Sequence, residues 1–563
     1  MEAPPSAGQR PSPTSSGTAS SPHHQDDGDT QPIRRTHTSD PHPIAPGSPS
    51  RPPWRYGPSR RCIVQVTALG HSCVLLSFES MHTSTRTRIL IDPWLSDHAT
   101  GDGMGRFPRV RFDSNALAPV DAVFLSHAHS DHLDPYTLVQ LWQTLSPAPT
   151  LLLPVTLAYL APVFREYLPG STIQLLHAHR PVAFRDLELM GFFDINLAPT
   201  NEDDVMILVV RNGSEVVLSE ADANLSLEDP EFRAYISGLL TGPGVDSAVF
   251  LTTENELTGT LLTKDCRTIE DREALAEHAM DELLESVQDL YTPNDDPSDL
   301  WHCAHLLRLV HGQGLTAPHE LDPRWQQILF PVRISHRVRE ERAAAARAGF
   351  CHQIDRLTDG AVHCITAGRV DTCTPLSGLT CLDQDDTRRF NPNLDFFPAL
   401  PCAPLRADLR DRAEQHRQIL ALLNHQFLPY LHGSRQPPVL HLLASYGGRY
   451  AVRVHFGEVV DDTCLDYVLD YGSLGFIEAP ASAEPPQETY WANDLEDFLA
   501  GHCDEFSTFC RTQFPGQEIR LQMCLAAPLL NGALVEKRVR LHFERASQGK
   551  TPAAWVLPLF STH

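Results

Sequence analysis

The sequence has little positive charge. Its 563 residues include 45 lysines and arginines against 71 aspartates and glutamates, so the formal net charge is −26. Only Lys264, Lys537 and Lys550 are lysines. Because nucleic acids and anionic membranes attract basic surfaces, this balance favours neither of them as a partner. The excess of arginine over lysine indicates GC-rich codon usage and hence a bacterial genome.

Long apolar runs, a signal peptide and paired cysteines are also missing. The nearest candidate for a membrane span, 151–164, is interrupted by Pro154 and Pro162 and is shorter than the roughly 18 residues required. The N-terminus is rich in proline and serine and has no apolar segment of the signal-peptide type. The 13 cysteines are scattered, without any C-x-x-C pair, which is typical of reduced thiols. Together these absences predict a cytoplasmic protein.

Composition divides the chain into three parts. Residues 1–58 contain 13 of the 46 prolines and no hydrophobic period, which predicts a disordered tail. Residues 60–375 alternate short β-rich runs with helical stretches, a pattern that favours a mixed α/β sandwich over a doubly wound sheet. Residues 390–563 predict a smaller α+β domain.

The C-terminal part carries no catalytic motif. Its periodicity predicts a long helix over 406–427, stopped by Pro429. Two short apolar runs, 518–526 and 539–543, predict closing strands. We expect this domain to wall a substrate pocket or to mediate dimerisation.

One cluster of residues in the sequence has the side chains that a metal site requires. The run SHAHSDH, residues 126–132, follows an apolar segment that is typical of a buried strand and precedes a helical stretch. Alternate residues of an extended segment point the same way, so His127 and His129 can converge on one cation. Asp131 and His132 can bind a second cation close by. Three imidazoles and a carboxylate suit Zn²⁺ or Fe²⁺.

An H-x-H-x-D-H motif after an apolar strand resembles the metallo-β-lactamase-fold superfamily. Upstream, Gly70-His71-Ser72 and the run LIDPWL at 90–95 resemble the first strands of its lactonase-like and sialate-hydroxylase-like branches. The resemblance covers residues 60–375 and implies an αβ/βα sandwich with a dinuclear metal site on one edge. His71 either lines the mouth of that site or serves a turn. The motif is specific for the fold and leaves the reaction open.

The resemblance implies further ligands. A bridging carboxylate is expected at a strand end, where Asp222 follows an apolar run, with Glu220 as its near competitor. A histidine late in the domain is expected to complete the second metal site, and we assign His336, which follows an apolar run and precedes a helix. The alternatives for this last ligand are His302, His305, His311 and His319.

The third histidine of the first metal is missing. The stretch that should hold it, 198–204, contains acidic residues and no histidine, and we assign Glu202 to its place. The competing interpretation is that Glu202 belongs to a solvated acidic turn. An oxygen-rich ligand set suits iron in higher oxidation states. The dinuclear iron oxygenases of this superfamily, which hydroxylate amino acids bound to a carrier protein, make a similar exchange of histidine for carboxylate.

A finer resemblance is to the cytidine-monophosphate sialic acid hydroxylase family. It rests on the run DPWL at 92–95, on 124–133, and on YAVR at 450–453 followed by LDYVLD at 465–470. That family has an N-terminal Rieske iron–sulfur domain with paired Cys-His ligands, whereas here we predict only a disordered tail. An oxygenase of this type would therefore take its electrons from a separate donor protein or from the substrate.

Three functions stay open on the sequence alone. The first is an O₂-dependent dinuclear iron oxygenase, a hydroxylase or N-oxygenase, with two iron ions and a small or carrier-protein-bound substrate. The second is a dizinc hydrolase or lactonase, in which the same ligands lower the pKa of a bound water to about 7 and Asp131 orients the hydroxide. The third is a non-catalytic metal-binding scaffold. Substrate and oligomeric state are not determined by these patterns.

Overall fold

The structure, a computed structural model, describes the chain between residues 64 and 550. The predicted tail 1–58 and the ligand candidate Glu202 lie outside the described residues, as do His302, His305 and His319. The full set outside the description is 1–63, 81–84, 100–103, 194–204, 224–229, 242–244, 246, 255–267, 292–305, 317–322, 351, 367, 384–387, 396–403, 434–443, 445, 458–462, 471, 505–519, 527 and 551–563.

Short apolar segments form the strands of the first part of the chain. These strands are β1 (Val64–Gly70), β2 (Cys73–Glu79), β3 (Arg86–Ile91), β4 (Gly105–Arg106), β5 (Val110–Phe112), β6 (Ala122–Phe124), β7 (Thr150–Pro154), β8 (Thr172–Leu176), β9 (Val182–Phe184), β10 (Leu187–Phe193), β11 (Met206–Asn212), β12 (Glu215–Ser219), β13 (Ser247–Thr253), β14 (Leu306–His311), β15 (Leu315–Thr316), β16 (Gln353–Arg356), β17 (Ala361–Thr366), β18 (Arg369–Pro375) and β19 (Leu379–Cys381).

Two large sheets pack face to face. Among the described residues, one sheet has the order β18-β17-β1-β2-β3-β6-β7-β8 and the other the order β16-β14-β13-β12-β11-β10-β9. Strands β3, β6, β7 and β8 run parallel to one another, and so do β12, β13, β14 and β16. Buried side chains from both sheets, such as Leu76 and Ile89 from the first and Leu208 and Val217 from the second, form the central core.

Helices cover the outer faces of both sheets. Leu138 of α1 and Phe164 of α2 pack on the first sheet, while Ile236 of α3 packs on the second. The long acidic helix α4 packs with α5 in a further cluster that includes Val310 of β14. Among the described residues, the α-helices of this part are α1 (Pro135–Thr144), α2 (Ala161–Tyr167), α3 (Pro230–Thr241), α4 (Ile269–Tyr291) and α5 (Ile334–Ala348). This helix–sheet–sheet–helix arrangement confirms the predicted αβ/βα sandwich.

The C-terminal part has its own sheet and core. Its elements are α6 (Arg412–Leu422), α7 (Leu428–Gly433), β20 (Ala451–His455), β21 (Cys464–Asp470), β22 (Gly475–Pro480), β23 (Glu488–Trp491), α8 (Ala492–Ala500), α9 (Arg520–Ala526) and α10 (Pro528–Ser547). The strands pair in the order β22-β21-β20-β23, with Tyr450, Val452 and Tyr490 in the core beneath the helices. The expected α+β character of this part is therefore confirmed.

The two predicted closing strands are wrong, since α9 and α10 occupy their positions. Residues 539–543 alternate apolar and polar side chains, which fits a strand locally. Val535, Val539 and Phe543, however, recur every four residues and are buried together against α1 and α2. The ring of Phe543 stacks on Tyr167, with 5.5 Å between the ring centroids. The burial of this helical face shows that the residues form a helix, although their alternation also fits a strand.

The helix expected over 406–427 differs at both ends. It begins at Arg412, because the side chain of Asp411 caps the amides of Ala413 and Glu414. A π-helical turn, Leu423–Phe427, joins it to α7, so helical structure continues through Pro429. Pro429 follows this π-helical turn directly, at a point where the i→i−4 hydrogen-bond pattern is already interrupted. Within the described part of the chain, no helix combines the length and apolarity that a membrane crossing demands.

Candidate metal centre

The loops that follow several strands meet at one edge of the sandwich. The H-x-H-x-D-H loop leaves β6 and enters α1, whose first amides are capped by the side chain of Asp134. Asp92 directly follows β3, the parallel neighbour of β6. In the second sheet, Asp222 follows β12 and His311 ends β14. Carboxyl ends of parallel strands share an edge, and this edge gathers the predicted ligands.

The first group of side chains contains His127, His129, His132 and Asp222. The Nε2 atom of His127 lies 2.8 Å from Nδ1 of His129 and 3.7 Å from Oδ2 of Asp222. The same Asp222 oxygen lies 2.8 Å from Nε2 of His132. Potential ligand atoms of His127, His132 and Asp222 all lie within 4.8 Å of one another, close enough to share one cation.

The second group contains His71, Asp131 and His132. The Nε2–H of His71 donates to Oδ2 of Asp131 over 3.0 Å, and Nε2 of His132 lies 3.8 Å from the same oxygen. Asp131 is almost completely buried, and its Oδ1 atom has no hydrogen-bond partner among the described residues. A buried carboxylate oxygen without a donor is costly unless a cation binds it, so these residues fit a metal ion.

The structure thus brings five of the predicted residues together: His127, His129, Asp131, His132 and Asp222. It also places His71 within the second group, which the sequence had left open between the site and a turn. Glu220 points to a different environment, where burial raises its pKa to about 8 beside Arg308 and Arg337.

A buried aspartate behind the ligands was missed as a site residue. Asp92 accepts hydrogen bonds from the amide of Ser126 over 2.7 Å, from its hydroxyl over 2.6 Å and from Nδ1–H of His132 over 2.9 Å. The Ser126 oxygen in turn lies 2.9 Å from Nδ1 of His127. Asp92 therefore orients two ligand imidazoles and leaves their Nε2 atoms facing the site. Its position directly after a strand that neighbours β6 was the available signal.

Burial and neighbouring charges set the protonation of these groups. Burial lowers the pKa of His127 well below its ordinary range, and His132 and His129 lower it further. Burial alone would also lower the pKa of His132, but the surrounding carboxylates, Asp222 first, raise it well above the usual value. Burial would raise the pKa of Asp222, yet the nearby imidazoles lower it. Asp222 is consequently a carboxylate and His127 a neutral imidazole, the forms that bind metal.

Strained backbone surrounds the cluster. His71, Asp92, Ala221 and Gln313 adopt positive φ angles of 50°, 41°, 52° and 51°. Left-handed conformations are unfavourable for residues with a side chain and persist where the surrounding structure enforces them, often at functional sites. Gly314 adds a close approach, because a Cβ atom there would collide with the Cβ atom of His71.

Among the late histidines that the structure describes, His311, one of the alternatives, lies next to the cluster. It is buried, its Nδ1–H donates to the carbonyl of His71 over 3.1 Å, and burial lowers its pKa to about 4. Its Nε2 atom has no hydrogen-bond partner among the described residues. His336 instead lies in the first turn of α5, where its charged neighbours are Arg339, Arg333 and Glu340. The structure therefore does not bring His336 to the other candidates.

Replacing these two histidines separates the assignments. We expect His311→Ala to weaken the binding of a divalent cation by about 10- to 100-fold, because a neutral buried imidazole beside the ligands is lost. His336→Ala serves as the matched control and should bind the cation as the unchanged protein does. Competition with a chromophoric zinc chelator measures both variants. Loss of affinity in His336→Ala alone would restore the sequence-based assignment.

Comparison with known proteins agrees with this fold. Residues 87–206 match the family model described as the beta-lactamase superfamily domain. The matched residues contain the whole H-x-H-x-D-H loop. No curated protein matches the chain. The family-model match over residues 87–206 confirms the resemblance to the metallo-β-lactamase-fold superfamily. Proteins of this fold are mostly metal-dependent enzymes, oxidoreductases as well as hydrolases.

Three solved structures illustrate the range of similar proteins. CmlA, a diiron beta-hydroxylase from Streptomyces venezuelae, is 16% identical over 53% of this chain and 53% of its own, with a TM-score of 0.30. The metallo-beta-lactamase fold protein YhfI from Bacillus subtilis is 14% identical over 53% of this chain and 98% of its own, also with a TM-score of 0.30. A metallo-beta-lactamase from Cronobacter sakazakii is 13% identical over 33% and 77%, with a TM-score of 0.18. The matched region thus spans about half the length of CmlA.

Proposed function

We propose that the chain is an O₂-dependent oxygenase that uses two iron ions to hydroxylate or N-oxygenate a small or carrier-protein-bound metabolite. The observation that supports iron is the composition of the first metal position. To this position we assign the imidazoles of His127 and His129 and the carboxylate of Asp222, and we assign His132, which also contacts Asp222, to the second position. The segment 198–204 supplies carboxylates and no third histidine. Such an oxygen-rich set favours iron over zinc.

The strand that follows the acidic segment in sequence begins beside this position. Glu202 is the carboxylate that we propose as the remaining ligand. Four residues further along, the amide of Met206 donates a hydrogen bond to the carbonyl of Ser126 over 3.1 Å, and Ser126 adjoins His127. The chain that follows Glu202 therefore enters β11 beside the first ligand. This connection supports Glu202, with Asp203 and Asp204 as its neighbours in sequence.

Each side chain has a defined task in this proposal. His127, His129, Glu202 and Asp222 would hold one ion, while Asp131, His132 and the late histidine His311 would hold the other together with Asp222. Reduced iron would supply the electrons for activating O₂, and a separate donor protein would restore them. Asp92 keeps the imidazoles of His127 and His132 oriented. Substrate approaches from the side of Asp222, whose side chain is 19% exposed whereas those of His127 and His132 are fully buried.

Metal content and the optical spectrum test the proposal. Protein produced in iron-supplemented medium and never exposed to a chelator should hold about two irons per chain. It should show near-ultraviolet charge-transfer absorption that bleaches on reduction, and it should consume O₂ when substrate candidates and a reductant are supplied. Tightly bound zinc without iron, together with cleavage of esters, lactones or phosphodiesters, would instead establish the dizinc hydrolase. A folded protein that retains neither metal would be the non-catalytic scaffold.

The most specific part of the proposal is that Glu202 is an iron ligand. We expect Glu202→Ala to lose about one iron per chain and to abolish O₂ consumption, because the first position would keep too few ligands. Asp203→Ala is the matched control, since it removes an adjacent carboxylate from the same acidic segment. If Glu202→Ala keeps as much iron as Asp203→Ala and the unchanged protein, Glu202 is not a ligand.

A further inference from the structure

The residues between the ligands of the metal-binding loop contact the C-terminal part of the chain. Ser130 lies between His129 and Asp131, and its hydroxyl donates to Oδ2 of Asp504 over 2.6 Å. Both partners are buried, with 1% and 0% of their surfaces exposed. They are separated by 374 residues in sequence. A buried hydrogen bond to a carboxylate is among the stronger ones that a protein forms.

A second contact with the C-terminal part holds the same loop at Ala128. Ala128 lies between His127 and His129, and its carbonyl accepts a hydrogen bond from the guanidinium of Arg538 over 3.1 Å. Arg538 belongs to α10 and is also buried. The ligand residues 127, 129 and 131 therefore alternate with residues 128 and 130, which the C-terminal part holds. The loop turns after His129, whose carbonyl accepts hydrogen bonds from the amides of His132 and Leu133. The contacts at residues 128 and 130 therefore hold the loop on both sides of His129, directly before and within this turn.

The supporting elements are themselves firmly packed. Helix α10 inserts Val535, Val539 and Phe543 into the core formed with α1 and α2. The hydroxyl of Tyr136, at the start of α1, lies 3.0 Å from Nδ1 of His542 on α10. A support fixed by a hydrophobic core can hold a loop in one conformation, which reduces the entropy that metal binding would otherwise lose.

We propose that Asp504 and Arg538 are positioning residues, through which the C-terminal part holds the H-x-H-x-D-H loop in its metal-binding conformation. The proposal rests on the proposed function only in that the loop binds metal ions, and it holds for iron and for zinc alike. It gives the C-terminal part a task at the metal centre, beyond the walling of a pocket or dimerisation. Asp504 and Arg538 need not contact the metals or the substrate.

Cobalt(II) titration of the full, metal-free chain tests this inference. The d–d absorption of Co²⁺ reports ligand geometry as well as affinity, so it separates positioning from general stability. We expect Ser130→Ala, Asp504→Ala and Arg538→Ala each to weaken Co²⁺ binding by about 10- to 100-fold and to alter the d–d spectrum. Asp504→Asn keeps an oxygen that accepts from Ser130 and should restore most of the affinity.

Arg540→Ala is the matched control. Arg540 lies on the same helix α10 and pairs with Glu166 of α2, so it joins the same two parts of the chain without touching the loop. The free energy of unfolding of each metal-free variant, measured in urea, accompanies the titration. Arg540→Ala should leave Co²⁺ affinity and spectrum unchanged.

The outcomes are distinguishable. If Ser130→Ala, which removes a single oxygen atom, and Arg538→Ala bind Co²⁺ with unchanged affinity and spectrum, the inference is overturned and the metal site stands. The inference is also overturned if all variants, Arg540→Ala included, weaken binding in proportion to their loss of stability. If the unchanged protein binds no Co²⁺, the proposed function fails, because the loop is then not a metal site.

Discussion

Replacement of Asp222 by alanine is expected to remove both metal ions from the protein. Its Oδ2 atom lies 2.8 Å from Nε2 of His132 and 3.7 Å from Nε2 of His127, so it contacts ligands of both groups. Without this carboxylate, negative charge no longer separates two adjacent cations, and the repulsion between them acts in full. We expect the affinity for the more tightly bound ion to fall at least about 1,000-fold, equivalent to about 4 kcal/mol.

Atomic emission spectroscopy after gel filtration measures this loss as metal ions per chain. Asp222→Asn provides a graded comparison, since it keeps the shape and one oxygen but loses the charge, and it should retain part of the metal. Glu220→Gln is the control for the competing sequence assignment. Its carboxyl group lies beside Arg308 and Arg337, so this variant should keep its full metal content. Metal loss in Glu220→Gln with full retention in Asp222→Ala would reverse the assignment.

The second large effect is expected at Asp92. In Asp92→Ala, the amide of Ser126 and the Nδ1–H of His132 lose a buried acceptor, as does the Ser126 hydroxyl. Each buried donor left without a partner costs about 1–3 kcal/mol, so the free energy of unfolding should fall by about 4 kcal/mol. Urea unfolding of the metal-free protein measures this change without any contribution from bound metal.

Metal affinity should fall as well in this variant. The rings of His132 and His127 would lose their orientation, and we expect about 10- to 100-fold weaker binding of Co²⁺ in variants that stay folded. Ser126→Ala is the intermediate case, because it breaks the link from Asp92 to His127 but keeps the bond from His132. If Asp92→Ala unfolds less easily than Ser126→Ala or binds Co²⁺ as the unchanged protein does, Asp92 does not orient the ligands.

Local sequence accounts for the ligands that lie close together in the chain. The apolar strand, the two-residue spacing of His127 and His129, and the helix cap at Asp134 are all encoded within about a dozen residues. Periodicity likewise predicted the sandwich, because short strands with intervening helices have few ways to bury their apolar faces. Asp222 was expected from the family resemblance, which implies a carboxylate at a strand end, and the sequence offered it as the acid that follows an apolar run.

Short sequence patterns gave wrong predictions where the same residues fitted both a strand and a helix. The stretch 539–543 alternates as a strand does, and only the buried face shared by Val535, Val539 and Phe543 shows that it is a helix. The choice between His311 and His336 has the same origin. Both follow apolar runs, and only the parallel pairing of β13 with β14 places the end of β14 at the edge that carries the ligands.

The sequence by itself therefore determined the fold class and the core of the metal loop, since both depend on neighbouring residues. Tertiary structure decided the contacts between residues far apart: His71 with Asp131 across 60 residues, Asp92 with His132 across 40, and Ser130 with Asp504 across 374. Such pairs depend on which strands lie side by side and which helix covers them. The physical reason is that hydrophobic burial selects the arrangement of whole elements, and the polar contacts follow from it.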